Sequence, residues 1–519
     1  MDLSQWITQH ARRTPDKAAL QFEGRDIGYA ALATRIDEIA VALAARGIER
    51  GDVVAWLGMN SPAMLATLFA CARLGAIFMP LNWRLAPPEH RALLCDDPPA
   101  LLFVDAPFVA ASAAAPIAQA ATACVALGAA APSGWQDGAD FAPPVRGPLH
   151  AAQSSADAPL LLCYTSGSTG RAKGVLLTQQ ALMCNAANSV DMHGLTHDDR
   201  VLTTLPLFHV GGLNIQTLPA LQAGCTVTLH AKFDADATFD AIERQRITLT
   251  VLVPAQLDAM LAHPRWASAD FGSLRMISTG STQVPMRIIH AVHARGVPLI
   301  QVWGATETAP IAACLHADEA LRKAGSTGRA AHHGALRIVD VDGCDLPPGK
   351  PGEVLARGDN LMSGYWRDPQ ASARALAGGW FHSGDLGHLD DEGFLYIDGR
   401  LKDMIISGGE NVSPAEVEAV LLEHPQVAEA AVVGRADERW GEVIIAVVAL
   451  QPGSTLTREQ LLGMCEGRIA RFKHPKDVLF VDAMPRTALG KVRKEDVRRL
   501  VADTAAATGA TPTPQERMA

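Results

Sequence analysis

Apolar and polar positions along the chain follow two periods that take turns. Leu32 to Ala45 repeats at helical spacing, Val53-Val54-Ala55-Trp56-Leu57 is an unbroken apolar run, and Ala63 to Leu74 is helical again before the short run Ala76 to Met79. A short run with no polar interruption suits a strand covered on both faces, so the alternation predicts βαβ units around largely parallel sheets. Val201 to Leu205, Thr226 to Leu229, Leu249 to Val253 and Met276 to Ser278 continue the strand pattern, and no internal repeat is visible. Near residue 335 short runs and turn pairs take over, among them Asp342-Gly343 and Pro347-Pro348-Gly349, which predicts a small antiparallel, barrel-like β region. After Asp398-Gly399-Arg400, the stretch Ser413-Pro414-Ala415-Glu416 predicts a helix start, with Ser413 as N-cap, Pro414 in the first position and Glu416 closing a capping box. The last residues are rich in Ala, Thr and Pro without a period and predict a disordered tail.

A chain of 519 residues exceeds what one hydrophobic core supports. The expected architecture is an α/β protein. Residues 1–399 form a large N-terminal domain of βαβ sheets plus the small β region, 400–402 a hinge, 403–502 a smaller mobile α+β domain, and 503–519 the tail. Apolar residues at 48% and charged residues at 19% exclude global disorder, and a net charge of -10 argues against a nucleic-acid partner. Nine scattered cysteines without zinc spacing suit free thiols in a cytoplasmic protein. The N-terminus lacks the pattern of a signal peptide. The uncharged stretch from Ala106 to Gln136 is long enough to span a bilayer, but its alanines and prolines predict strand, helix and strand of a soluble fold.

Because the overall field is negative, an anionic substrate needs local donors, and the strongest candidate is Tyr164-Thr165-Ser166-Gly167-Ser168-Thr169-Gly170-Arg171-Ala172-Lys173-Gly174. Glycines let the backbone fold around phosphate, hydroxyls and amides donate to its oxygens, and Lys173 adds charge. A Walker loop starting at Gly167 would need Gly in place of Ala172 and Ser or Thr in place of Gly174, so a P-loop NTPase is disfavoured.

This loop resembles that of the adenylate-forming superfamily, which contains acyl- and aryl-CoA synthetases, firefly luciferase and the adenylation domains of peptide synthetases. Further segments match in order. Pro206-Leu207-Phe208-His209-Val210-Gly211-Gly212 is similar to the family segment ending in a gate beside the acyl pocket. Trp303-Gly304-Ala305-Thr306-Glu307 resembles the segment whose aromatic stacks on adenine, whose Thr meets the α-phosphate and whose Glu holds Mg²⁺; Trp303 stands where the family usually has Tyr. By the same resemblance Asp385 grips the ribose hydroxyls, Arg400 lies at ribose and phosphate, and Lys402 is the hinge. Gly408 and Gly409 line the pantetheine channel, Trp440, Phe472 and His474 meet the CoA nucleotide, and Lys491 is the catalytic lysine of the first half-reaction.

The implied activity is that of an acid–CoA ligase using ATP, Mg²⁺ and CoA on a small-molecule carboxylate, with no transmembrane segment. A homodimer is a further expectation. His209, Val210, Gly211, Gly280, Ser281 and Val302 are expected to wall the acyl pocket, alongside Trp303. Open glycines there favour a slot for a medium- or long-chain fatty acid, as in the bacterial fatty-acid–CoA ligases that the overall texture most resembles. Ser278-Thr279-Gly280-Ser281-Thr282 is more polar than the family's Gly-Gly-Ala-Pro and points to the alternative, an aryl or cyclic acid. Loading of an amino acid onto a carrier protein is a third reading. It is disfavoured because no acid follows His209 and because the stretch beyond Lys491 leaves no room for a carrier domain.

Overall fold

Ser61 starts the helix Pro62–Leu74 by accepting the Met64 N–H at 3.2 Å, and Gly75 ends it in the left-handed region at φ 76. Nearly every side chain of this helix is buried, because it is covered on all sides. The parallel strands Val53–Leu57 and Ile77–Leu81 flank it in sequence, with Val54 opposite Phe78. This local logic recurs through the computed structural model, which describes residues 2–114, 123–141, 154–165, 172–281, 284–407, 410–437, 440–466, 468–487 and 490–507.

Two compact units emerge. The first comprises Met1–Arg337, Leu355–Ser383 and Asp390–Tyr396, and the second Ile338–Val354, Gly384–Leu389 and Ile397–Ala519. The last piece of the second unit begins close to the boundary expected at 399, and two β segments from earlier in the chain join it.

The first unit holds two large sheets. One has nine strands, with Leu299–Trp303, Met276–Gly280, Leu249–Val251, Arg200–Thr203, Thr226–Leu229 and Ala18–Phe22 as consecutive parallel neighbours. The other has eight, in which Ile77–Leu81, Val53–Leu57, Leu101–Asp105 and Cys124–Leu127 are parallel and Pro159–Thr165 pairs antiparallel with Lys173–Thr178. The uncharged stretch from Ala106 to Gln136 opens directly on the helix Ala106–Ala114 and then supplies Cys124–Leu127, with residues 115–122 outside the described set; the strand expected at its start, Leu101–Asp105, ends just before it. Among the described residues no helix is long and apolar enough to cross a membrane.

The turn-rich region forms a four-stranded sheet of Gly334–Val339, Gly352–Gly358, Phe381–Leu389 and Leu395–Arg400. In the second unit Val427–Asp437 and Gly441–Leu450 pair along their length. Their residues alternate between two cores, as the period of a strand requires. Val432, Ile444, Ala446 and Val448 pack toward the helix Pro414–Leu422, while Val433, Val443, Ile445 and Val447 pack with Met484, Val497 and Val501.

Two local expectations are corrected here. The helix at Pro414 does start at Ser413, but the Ser413 hydroxyl is donated to the Asp398 carbonyl rather than capping, and Glu416 binds Lys473 at 2.6 Å. A tertiary partner has replaced the local one. The final helix, Lys494–Ala507, runs into the segment expected to be tail, since Val497 and Val501 bury an apolar face; residues 508–519 lie outside the described set.

Candidate active site

In the first unit the phosphate-loop sequence joins the two strands of an antiparallel pair, Pro159–Thr165 and Lys173–Thr178. Thr165 and Lys173 are directly opposed in that pair, and the Thr165 hydroxyl approaches the Lys173 carbonyl at 3.4 Å. Ser166, Gly167, Ser168, Thr169 and Gly170 lie outside the described residues. Lys173 Nζ lies 4.7 Å from the centre of the Tyr365 ring, a cation–π contact, and the Tyr365 hydroxyl donates to Glu307 Oε1 at 2.8 Å. Burial and then the Glu307 charge push the Tyr365 pKa upward, so the phenol keeps the proton it donates.

Glu307 sits in the tight turn Thr306–Thr308 after the strand Leu299–Trp303. Gly304 makes that turn feasible, because a Cβ there would lie 1.9 Å from the Pro310 carbonyl oxygen. The Thr308 hydroxyl accepts the Ala305 N–H at 2.9 Å, Asn360 Nδ2 donates to the Thr308 and Ile311 carbonyls at 2.6 and 2.8 Å, and the Met362 N–H donates to the Glu307 carbonyl at 2.8 Å. Thr306 and Trp303 are both buried. Lys173, Tyr365 and Glu307 therefore form one polar cluster at the phosphate-loop strand pair, with Thr306 beside Glu307 in its turn.

His209 caps the short helix Val210–Gly212, its Nδ1 accepting the Gly211 N–H at 3.0 Å. The neutral ring must then carry its proton on Nε2. A Cβ on Gly212 would lie 2.3 Å from the Pro206 carbonyl oxygen, so the segment is closed on itself. Gly280 and Val302 are register partners on adjacent parallel strands. A Cβ on Gly280 would lie 2.6 Å from the Val302 carbonyl oxygen. That glycine answers the approach of a neighbouring strand and does not open a slot for an alkyl chain, which corrects the expectation drawn from it. Ser281 follows in the left-handed region at φ 75.

Three residues that the sequence did not single out hold these parts in place. Tyr365 is one. Asp97 is the second: it accepts from the Tyr164 hydroxyl and from Trp366 Nε1 at 2.8 Å, tying the phosphate-loop strand pair to the residue after Tyr365. Asn60 is the third, accepting the Leu207 N–H at 2.8 Å and donating to the Leu205 and His230 carbonyls at 2.9 and 3.0 Å, which anchors the His209 segment. A Gly-Tyr-Trp run in a polar segment was the available signal for Tyr365; for Asp97 and Asn60 there was none.

The second unit brings together Asp385, Arg400 and Lys491. Arg400 Nε and Asp385 Oδ1 are 2.7 Å apart. Lys491 keeps an exposed side chain, so its loss of solvent is that of a crowded rim and not of a core. Its pKa is still lowered, first by that desolvation and then by the Arg400 guanidinium, with Asp385 opposing. Lys402 lies 3.9 Å from Glu495, and Asp403 pairs with Arg498 at 2.6 Å, so the expected hinge residue and the one after it both touch the final helix. Gly408 and Gly409 lie outside the described residues. Trp440 and Phe472 are 41% and 44% exposed, with Lys476 5.9 Å from the Trp440 ring and Lys473 5.7 Å from that of Phe472. Exposed aromatics beside cations suit a phosphorylated, ring-bearing ligand. His474 is engaged by the Ile469 carbonyl at 3.1 Å.

The AMP-binding enzyme model matches residues 7–366, and the model of the AMP-binding enzyme C-terminal domain matches residues 416–491. The chain is 60% identical over 509 residues to the indoleacetate–CoA ligase of Aromatoleum aromaticum, covering 97% of this chain and 98% of that protein. It is 42% identical over 500 residues to a feruloyl-CoA synthase of an Amycolatopsis species, covering 96% and 98%. Its fold superimposes on the o-succinylbenzoate CoA synthetase of Bacillus subtilis, solved with its acyl-adenylate intermediate, with TM-score 0.82, 31% identity, and coverage of 96% and 97%. The chain belongs to the AMP-binding enzymes of the adenylate-forming superfamily, users of ATP and CoA, and is an acid–CoA ligase of the AMP-forming acyl-CoA synthetase type.

Proposed function

We propose that the acid is an aryl or heteroaryl monocarboxylate. The observation that carries this reading is 60% identity, spread over 97% of the chain, to a ligase named for indoleacetate. The feruloyl and o-succinylbenzoate enzymes support it, and so does the buried polar strand Ser278-Thr279-Gly280. The fatty-acid reading of the sequence gives way to its aryl alternative, since the glycine that suggested an alkyl slot is filled by the Val302 carbonyl.

In the first half-reaction a carboxylate oxygen of the acid attacks the α-phosphorus of ATP. The bond to the bridging oxygen breaks and pyrophosphate leaves with its electron pair. Lys491 and Thr306 stabilise the charge gathering on the α-phosphate, Lys173 and the loop from Thr165 to Gly170 hold the outer phosphates, and Asp385 and Arg400 hold the ribose. Glu307 suits Mg²⁺. Among the described residues no group of three or more His, Cys, Asp or Glu could hold a metal, and Mg²⁺ is typically held by one or two carboxylates plus substrate phosphates. The ion would neutralise phosphate charge there. In the second half-reaction the smaller domain, residues 403–502, turns at Lys402, bringing Gly408 and Gly409 to the adenylate, with Trp440, Phe472 and His474 at the CoA nucleotide. The CoA thiolate attacks the acyl carbon, the acyl–phosphate bond breaks, and AMP leaves. His209, Val210, Gly211, Ser281 and Val302 bound the acyl group.

Pyrophosphate release across a panel of aryl, fatty, dicarboxylic and amino acids, with and without CoA, tests this. CoA-dependent turnover with the highest kcat/KM on an aryl acid is expected. A maximum on a fatty acid, or release without thioester, would overturn it.

A further inference from the structure

Directly after the His209 segment the chain makes a π-helical turn, Leu213–Thr217, in which every residue is buried. Such turns are frequent at functional sites. From it Gln216 reaches the strand Met276–Gly280, where its Nε2 donates to Ser278 Oγ at 3.1 Å. Ser278 Oγ lies 2.8 Å from His193 Nε2, and His193 Nδ1 lies 2.8 Å from the Ser189 carbonyl oxygen.

Proton counting gives this chain one direction. A carbonyl has no proton to offer, and the Ser189 hydroxyl is spent on the Ile215 carbonyl at 2.5 Å, so His193 Nδ1 must carry a hydrogen. Burial lowers the His193 pKa to about 4, which keeps the ring neutral near pH 7 and leaves Nε2 a bare acceptor. Ser278 must therefore donate to His193, and its lone pair accepts from the Gln216 amide nitrogen. Turning that amide over would set two acceptors, Gln216 Oε1 and His193 Nε2, against a single hydroxyl hydrogen. The amide is thus locked with its oxygen facing away from Ser278. That oxygen has no partner among the described residues although Gln216 is only 2% exposed. Asn214, 1% exposed, likewise has neither side-chain polar atom partnered among them. Buried polar atoms in native proteins are rarely left bare, and each such case asks for a partner.

The location points to the acid. Ser278 and Gly280 face the same side of their strand, and Gly280 is in register with Val302 on the next one. Gly280 and Val302 are two of the walls expected for the acyl group, and the π-helical turn continues from the His209 segment.

We propose that Gln216 Oε1 is a specificity-determining acceptor for a hydrogen-bond donor, N–H or O–H, carried on the ring of the aryl acid, with Ser278 and His193 as positioning residues that lock the amide. The proposal rests on the aryl reading above and narrows it to donor-bearing rings.

The test compares kcat/KM for indole-3-acetate with benzofuran-3-acetate, where an oxygen replaces the N–H, and for 4-hydroxyphenylacetate with phenylacetate. The wild-type enzyme should prefer the donor-bearing member of one pair by about tenfold or more, and the responding pair tells N–H from O–H. Gln216→Met should shrink that ratio to about threefold or less. Ser278→Ala, which unlocks the amide without touching the ligand, should shrink it partway, an effect that general loss of stability would not produce. Aryl-acid turnover with no donor preference in the wild type, or full preference retained in Gln216→Met, overturns this proposal alone. Absence of turnover with every aryl acid overturns the aryl reading and this proposal with it. The wild-type ratio decides even where a variant does not fold.

Discussion

Tyr365→Phe isolates one interaction in the phosphate cluster. The change deletes the hydroxyl that donates to Glu307 at 2.8 Å and keeps the ring beneath Lys173 Nζ, 4.7 Å away. A hydrogen bond to a charged group contributes about 1.5–3 kcal/mol. Both partners are only partly buried, so the lower part of that range applies, ~1.5–2 kcal/mol, which is roughly 10- to 30-fold. If Glu307 holds the metal, the loss falls on the first half-reaction. Pyrophosphate release should slow by that factor at limiting Mg²⁺ and recover in part at high Mg²⁺, while thioester formation from supplied acyl-AMP stays close to wild type. Tyr365→Leu removes the ring as well and should add a weaker hold on ATP. An unchanged Mg²⁺ dependence in Tyr365→Phe, or an equal loss in both half-reactions, would refute the reasoning.

Three further outcomes are expected. Lys491→Ala should abolish pyrophosphate release yet leave thioesterification of supplied acyl-AMP largely intact; joint loss would contradict the assigned division of labour. Because the Lys491 pKa is lowered by desolvation and Arg400, its charged form is lost at lower pH than for an ordinary lysine. Pyrophosphate release should therefore fall as pH rises through that value while thioesterification of supplied acyl-AMP does not follow, and a parallel fall would count against it. Asn60→Leu leaves the Leu207 N–H buried and unpaired, a loss of about 1–3 kcal/mol visible in denaturant melts, and loosens the His209 segment, so kcat/KM should drop too; wild-type stability would show that Asn60 is not the anchor.

What the sequence determined alone follows from rules that act over a few residues. Strand and helix periods placed Val53–Leu57, the helix over Ala63 to Leu74 and Thr226–Leu229, and the run from Tyr164 to Gly174 marked the phosphate-loop segment between Thr165 and Lys173. The ordered motifs identified the superfamily, because each is carried by a few consecutive residues. What the tertiary structure alone decided depends on which distant segments meet. Tyr365 reaches Glu307 across 58 positions, and Trp366 reaches Asp97 across 269. No local period records such a pairing, which follows from strand order and register. The same holds for Ser413, whose hydroxyl passed over its own helix for Asp398, and for Gly280, where the register with Val302 leaves no room for a side chain. The expectation of an alkyl slot turned on that last point. An open glycine and one pressed against a neighbouring carbonyl look identical in sequence, and only the packing of the parallel sheet tells them apart.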